Sequence, residues 1–343
     1  MDFRKQLIDW YLAMHRPLPW RQTNDPYKIW ISEIILQQTQ VIQGTAYYHR
    51  FIDTFPNVQE LAKANEDKVL KLWEGLGYYS RARNLHTAAK MIVADFNGIF
   101  PNDYKSIISL KGIGPYTAAA IASFAFKLPY AVIDGNVYRF ISRLHGITTP
   151  IDTTEGKKLF EQKASELLNP KQPDLHNQAM MEMGATVCKA TAPLCNDCVF
   201  NKECVAYQTG QHLELPIKIK KVKQRHRYFN YFLINNEEGI ILNQRTKSDI
   251  WQKLYELPLF ESSKKLSASQ LKKDFQESFK MIAEIKHILS HQIIHARFFR
   301  TNIKILDKIP NKGMTFFNTH KHKDYAFPQL IVNFLNEQDL PIR

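Results

Sequence analysis

No run of this sequence approaches the roughly 18 apolar residues that a membrane helix needs. The run Ala118–Phe126 is cut off by Lys127 and Pro129, and Met1-Asp2-Phe3-Arg4-Lys5-Gln6 holds no apolar core of signal-peptide length. Acidic excess is missing too: 33 Asp and Glu stand against 46 Lys and Arg, a formal net charge of +13. Internal repeats and low-complexity segments are absent. Cysteine is scarce, with four in 343 residues. These absences exclude a membrane-spanning protein and a disulfide-stapled one. The expectation is an intracellular chain of cytoplasm or nucleoid, with reduced thiols, whose few cysteines serve a metal or cluster.

What is present describes a globular protein: 44% hydrophobic and 23% charged residues over a length that suggests two domains. Both halves are basic, as suits a surface that grips phosphates. Residues 1–211 read as helical, with apolar residues at three- and four-residue spacing (Ile31, Ile34, Ile35; Leu61, Val69, Leu72, Trp73, Leu76) and breaks at Pro17–Pro19, Phe55–Asn57, Gly98–Pro101 and Pro170–Pro173. A basic stretch, 212–227, reads as a linker. Residues 228–343 read as α+β, with strand-like runs 228–234, 239–242 and 292–305 and a helix over 267–280.

All four cysteines lie together in a C-x6-C-x2-C-x5-C pattern, Cys188, Cys195, Cys198 and Cys204. Spacing alone leaves structural zinc and an iron–sulfur cluster both open, although zinc sites usually show two short pairs and this has one. Leu110-Lys111-Gly112-Ile113-Gly114-Pro115-Tyr116-Thr117 offers a tight glycine turn and a helix start whose amides suit a phosphate oxygen. Glu33 sits among apolar neighbours; facing inward, its carboxyl would hold a proton, and facing outward it is an ordinary helix-surface Glu. Asp134, after Ala131-Val132-Ile133 and before a helix, reads first as an N-cap. Hydrolytic removal of a base needs a proton donor for the leaving group and negative charge near a cationic sugar, and these two carboxylates are the candidates.

The cysteine spacing resembles the [4Fe–4S] loop of the endonuclease III superfamily of DNA glycosylases, and L-x-G-x-G-x-x-T-A resembles its helix-hairpin-helix, about residues 105–124. Pro19-Trp20-Arg21, Asp25-Pro26-Tyr27, Ser32-Glu33 through Gln40-Val41, Leu72 through Leu85 and Asp134-Gly135-Asn136-Val137 resemble the adenine DNA glycosylases, the MutY family. The resemblance covers about residues 16–204. It implies an all-α helix-hairpin-helix glycosylase domain with an iron–sulfur loop at 188–204, followed by an α+β Nudix-like domain. Its activity would be excision of adenine paired with 8-oxoguanine or guanine in base excision repair, by a monomer acting on double-stranded DNA.

In that family pattern Glu33 protonates the flipped adenine, Asp134 stabilises the oxocarbenium-like sugar, and Tyr116 and Asn136 orient the site. Arg21, Gln38, Thr39, Tyr78, Gly112 and Gly114 contact DNA, with Gln38 and Tyr78 as wedges beside the lesion. Bifunctional relatives carry a Schiff-base lysine where this chain has Tyr116, and a phenol forms no imine. The expectation is therefore a monofunctional hydrolase. The alternatives are a bifunctional glycosylase/lyase for oxidised pyrimidines and a catalytically silent DNA-binding protein.

In the C-terminal half, Trp251 to Pro258 resembles the family's W-x-x-L-[WY]-E-[FL]-P segment. Leu259-Phe260-Glu261-Ser262-Ser263-Lys264 lacks the acidic box of active Nudix hydrolases. Leu289-Ser290-His291 stands where the family's lesion-reading loop has Phe-Ser-His, so the hydrogen-bonding groups are kept and the aromatic face is lost. His287, His291 and His295 recur at helical spacing, but the β-branched and aromatic run around them argues for a strand.

Overall fold

Two helices that are apolar on nearly every face organise the first part of the chain. The computed structural model describes residues 2–219, 224–236, 239–275, 277–309, 316–319, 321–338 and 340, so residues 220–223 of the basic linker lie outside the described residues. Its helices are α1 (Phe3–Met14), α2 (Pro26–Leu36), α3 (Val41–Thr54), α4 (Val58–Lys63), α5 (Glu66–Leu72) and α6 (Ser80–Asp95). They continue with α7 (Tyr104–Ser109), α8 (Pro115–Phe126), α9 (Gly135–His145), α10 (Thr154–Leu167), α11 (Pro173–Thr186) and α12 (Val205–Gln208). The chain divides into two units, residues 1–62 with 87–220 and residues 63–86 with 221–343.

In the first unit α2 starts where the Asp25 side chain accepts from the Tyr27 amide and Pro26 presets the first turn. It buries every residue from Ile29 to Ile35, Glu33 included. Its partner α8 buries Thr117 through Phe124; the alanines there let the two helices approach closely. Gly112, at φ +79°, makes the turn between α7 and α8, a conformation that a Cβ disfavours. Asp134 caps α9, accepting from the Asn136 and Val137 amides, and Gly146 ends it in the left-handed region. Around α1, α9, α10 and α11 a core of Leu7, Tyr11, Phe140, Phe160, Met183 and Phe200 closes the unit. Each such side chain contributes about 1.5–3 kcal/mol of transfer free energy.

The second unit carries β1 (Arg225–Leu233), β2 (Asn235–Asn236), β3 (Gly239–Gln244), β4 (Tyr255–Glu256) and β5 (Leu259–Ser262). After these come α13 (Ala268–Phe275), β6 (Lys280–Ile288), β7 (Gln292–Arg300), β8 (Phe316–Thr319) and α14 (Gln329–Glu337). One sheet runs β5-β1-β7-β6, with β1 and β7 parallel (Arg225 opposite Gln292) and the outer pairs antiparallel. In the other, β3 pairs with β2, β4 and β8. Phe298 of β7 stacks on Phe334 of α14 at 3.8 Å between ring centres, joining sheet to helix.

Two sequence expectations shift here, and a third, that His287, His291 and His295 do not share a helix face, holds. The helix expected over 267–280 stops at Phe275, and Lys280–Ile288 forms a strand instead, its exposure alternating along the β6 pairing with β7. The strand expected over 292–305 ends at Arg300, where Asn302 caps a 3-10 turn, Ile303–Lys308. His287 and His295 lie on opposite strands of the β6–β7 hairpin with His291 in its turn, not on one helix face. Among the described residues no helix is long and apolar enough to cross a membrane.

Candidate active site and a second pocket

A cavity of about 360 Å³ opens in the first unit between α2, α8, α9 and α11. Its wall includes Arg21, Glu33, Gln38, Thr39, Tyr116, Asp134 and Asn136, residues brought together from four stretches of sequence. Glu33 is 6% exposed. Burial pushes its carboxyl up to about 7; the Tyr116 hydroxyl, donating to Glu33 Oε2 at 2.7 Å, opposes that shift, and Asp134 adds to it. Burial also holds the Tyr116 phenol far above its ordinary range, so it stays a donor.

Asp134 is tied at both oxygens. Oδ1 accepts from the amides of Asn136 (2.9 Å) and Val137 (2.8 Å), and Oδ2 accepts from Asn136 Nδ2 at 2.7 Å. Burial raises this carboxyl too, while those hydrogen bonds favour its charged form. Asn136 is itself held, since Arg139 Nη2 donates to Asn136 Oδ1 (2.8 Å) and to the Gly184 carbonyl (2.6 Å), and Arg139 Nε donates to the Cys188 carbonyl at 2.7 Å. Gly184 has to be small: a Cβ there would come within 2.6 Å of Asn136.

The cavity also holds charges that the sequence did not single out. Glu182, side chain fully buried, accepts from Arg16 Nε and Nη2 (both 2.7 Å) and from Arg21 Nη2 (2.8 Å). Burial works to raise this carboxyl, and the two guanidiniums outweigh it, bringing it to about 2. Trp20, Leu18 and Gln178 complete this wall. No local signal points to Glu182, because its partners are 166 and 161 residues away.

Gly112 and Gly114 sit in the exposed turn before α8, with the Gly114 backbone extended as its N-cap. The four cysteines line one pocket, with Phe140, Arg143 and His212. Arg143 Nη1 lies 3.5 Å from Cys188 Sγ and donates to the Lys189 carbonyl at 2.7 Å. No three of these thiols converge at single-ion distance among the described residues.

In the second unit a pocket of about 460 Å³ is lined by Gly75 to Ser80, Asp249 to Trp251 and His287 to His291. Tyr78, Leu289, Ser290 and His291 therefore share one site. The Tyr78 and Ser290 hydroxyls are hydrogen-bonded at 2.6 Å. Leu289 packs against the unit's hydrophobic core, and its amide donates to the Gln292 carbonyl at 2.8 Å to close the hairpin; the aliphatic residue serves the packing. Gln38 and Tyr78 both hold left-handed backbone, at φ +57° and +47°. For residues with a Cβ this costs on the order of 1 kcal/mol each and gathers at functional sites.

A family model described as HhH-GPD superfamily base excision DNA repair protein matches residues 31–170, and a NUDIX domain model matches residues 230–337. The adenine DNA glycosylase of Buchnera aphidicola subsp. Baizongia pistaciae is 36% identical over 323 residues, 93% of this chain and 89% of that protein. The adenine DNA glycosylase of Homo sapiens is 40% identical over 223 residues, 62% of this chain and 41% of that protein. Among solved structures, a thermostable thymine-DNA glycosylase has a TM-score of 0.56 at 28% identity, over 60% of this chain and 95% of that one. The chain belongs to the adenine DNA glycosylases, base excision repair enzymes that hydrolyse N-glycosidic bonds in DNA.

Proposed function

We propose that the first unit's cavity takes an adenine flipped out of duplex DNA, opposite 8-oxoguanine or guanine, and releases it by hydrolysis alone. The observation that carries this reading is the buried Glu33 carboxyl, raised to about 7 and hydrogen-bonded to Tyr116 in a cavity it shares with Asp134. At neutral pH a large share of Glu33 is protonated. It gives its proton to a ring nitrogen of the adenine as the bond from sugar to base breaks and its electron pair leaves with the base. The sugar turns cationic, and Asp134, oriented by Asn136 and two backbone amides, stabilises that charge. Glu33, now a carboxylate, takes the proton of the water that attacks the sugar carbon. Trp20 and Leu18 supply apolar wall for a flat base, while Arg21 and Glu182 offer polar partners at its edge.

Tyr116 fills the position where a Schiff-base lysine would sit, so strand cleavage is not expected. Amides at the Gly112–Gly114 turn hold backbone phosphate. In the second unit Tyr78, Ser290 and His291 read the base opposite the adenine. Extrusion costs a few kcal/mol and is cheapest at a mispair, so selection begins before chemistry.

The donor set at 188–204, four thiols lining one pocket in a C-x6-C-x2-C-x5-C spacing, suits an iron–sulfur cluster. Bound by Cys188, Cys195, Cys198 and Cys204, the cluster would fix the shape of the loop that Arg139 and Arg143 grip. Single-turnover adenine release from A:8-oxoguanine and A:G duplexes tests the whole reading. Wild type is expected to release adenine from both without nicking the strand, and Glu33→Gln to bind both and release none; a borohydride-trapped adduct through a native lysine would overturn it.

A further inference from the structure

Beyond the residues that meet DNA, the second unit buries a carboxylate for which the mechanism has no use. Glu74 lies in Leu72-Trp73-Glu74-Gly75-Leu76-Gly77-Tyr78-Tyr79, only 8% exposed. A buried carboxylate persists when each oxygen finds a donor, and the donors of Glu74 are specific. Oε1 accepts from the Phe327 amide at 2.9 Å and Oε2 from Lys71 Nζ at 2.9 Å. The same ammonium donates to the Tyr325 carbonyl at 3.0 Å, and the Tyr79 hydroxyl donates to the Phe327 carbonyl at 3.2 Å. Between them, the Ala326 carbonyl accepts from the Tyr255 amide at 2.9 Å. Three side chains from one short stretch thus hold the backbone of residues 325–327 from one side while β4 holds it from the other.

What this tripeptide fixes gives the contact a purpose. Phe327 is fully buried in the unit's core, and Pro328 follows it as the N-cap of α14, whose Gln329 lines the lesion pocket. Farther along the same stretch, Arg83 Nη1 donates to the Gln252 carbonyl at 2.8 Å. That bond pins a loop whose Trp251 and Lys253 hold left-handed backbone, at φ +59° and +70°. Trp251 in turn lies against His287 at 5.9 Å between ring centres. Tyr78 stands between the two anchor points, its hydroxyl on Ser290.

We propose that Glu74, with Lys71, is a positioning residue for lesion discrimination. By fastening the 71–83 stretch to residues 325–327, it sets where Tyr78 stands relative to Ser290 and His291. It touches no DNA and acts through the placement of residues that do. The proposal rests on the reading that this pocket reads the base opposite adenine.

Single-turnover adenine release by the full chain, on A:8-oxoguanine and A:G duplexes, tests it. Glu74→Ala is expected to lower the ratio of the two rates by about tenfold, the effect of losing a charge-assisted hydrogen bond, while the A:G rate stays within about twofold. Glu74→Gln keeps an acceptor for the Phe327 amide and restores most of the ratio; Lys71→Met, which leaves that acceptor in place, loses part of it. Wild-type ratios in Glu74→Ala and Lys71→Met, or equal losses on both duplexes, would overturn the proposal. Should Glu74→Ala not fold, Lys71→Met decides alone. Ser290→Ala separates the two levels: an unchanged ratio there refutes the pocket reading itself, whereas a lowered ratio there with wild-type Glu74→Ala refutes only the role of Glu74.

Discussion

Glu33 and Asp134 are the same kind of group in the same cavity, and their surroundings set them different tasks. Glu33 has one hydrogen-bond donor and an apolar helix around it, so burial wins and the carboxyl rises to about 7. Adenine release should accordingly fall as pH climbs through about 7, with a separate loss in acid where Asp134, raised by burial, gains a proton. Because the Tyr116 hydroxyl favours the carboxylate form, Tyr116→Phe should move the upper limb to higher pH; a limb shifted to lower pH would contradict the assignment. The same shift bears on stability. The folded value lies above the ordinary 4.5, so the contribution is fully present below 4.5 and is lost as pH rises through about 7. Glu33→Gln should remove that part of the pH dependence, readable in thermal midpoints. Asp134 is both cap and charge: Asp134→Asn keeps the cap and loses excision with little change in midpoint, whereas Asp134→Ala also gives up about 1 kcal/mol of helix stability.

The α7–α8 turn and the β6–β7 hairpin do similar work at the level of elements, each presenting a tip from a rigid base. Gly112→Ala would place a Cβ on φ +79°, costing about 1 kcal/mol, and would displace the amides proposed to hold phosphate. The expected result is weaker binding to every duplex alike, with unchanged preference between A:8-oxoguanine and A:G, measured by titration. A preference change without an affinity change would place the turn elsewhere in recognition. The hairpin is built differently, with Leu289 turned to the core and Ser290 and His291 exposed beyond it.

On the scale of the whole molecule, the two units do not follow the linear order of the chain, since residues 63–86 belong with 221–343. Glu74, Tyr79 and Arg83 spend their hydrogen bonds on backbone more than 160 residues away. Deleting residues 224–343 should therefore also disturb the 63–86 stretch. The truncated chain is expected to lose its preference for A:8-oxoguanine more than its A:G rate, and also to melt lower, because residues 63–86 lose the packing and backbone hydrogen bonds that residues 252 and 325–327 supply. A midpoint equal to that of the full chain would show that the 63–86 stretch is stable without those partners.

The sequence by itself determined whatever is encoded in short spans. The helix starts at Asp25-Pro26 and Asp134-Gly135, the glycine turn at Gly112 and the cysteine spacing were legible because a cap, a left-handed turn and a ligand loop need only neighbouring residues. So was the pairing of Glu33 with Asp134 as candidates, once the motifs around them were read together. Only the tertiary structure decided that Glu33 faces inward and that burial raises its carboxyl, since a pKa depends on what packs from elsewhere. It also supplied the Glu182 pair of arginines, the strand at Lys280–Ile288 and the anchoring of residues 63–86. Each of these depends on partners distant in sequence, and period and spacing carry no record of a contact that folding alone creates.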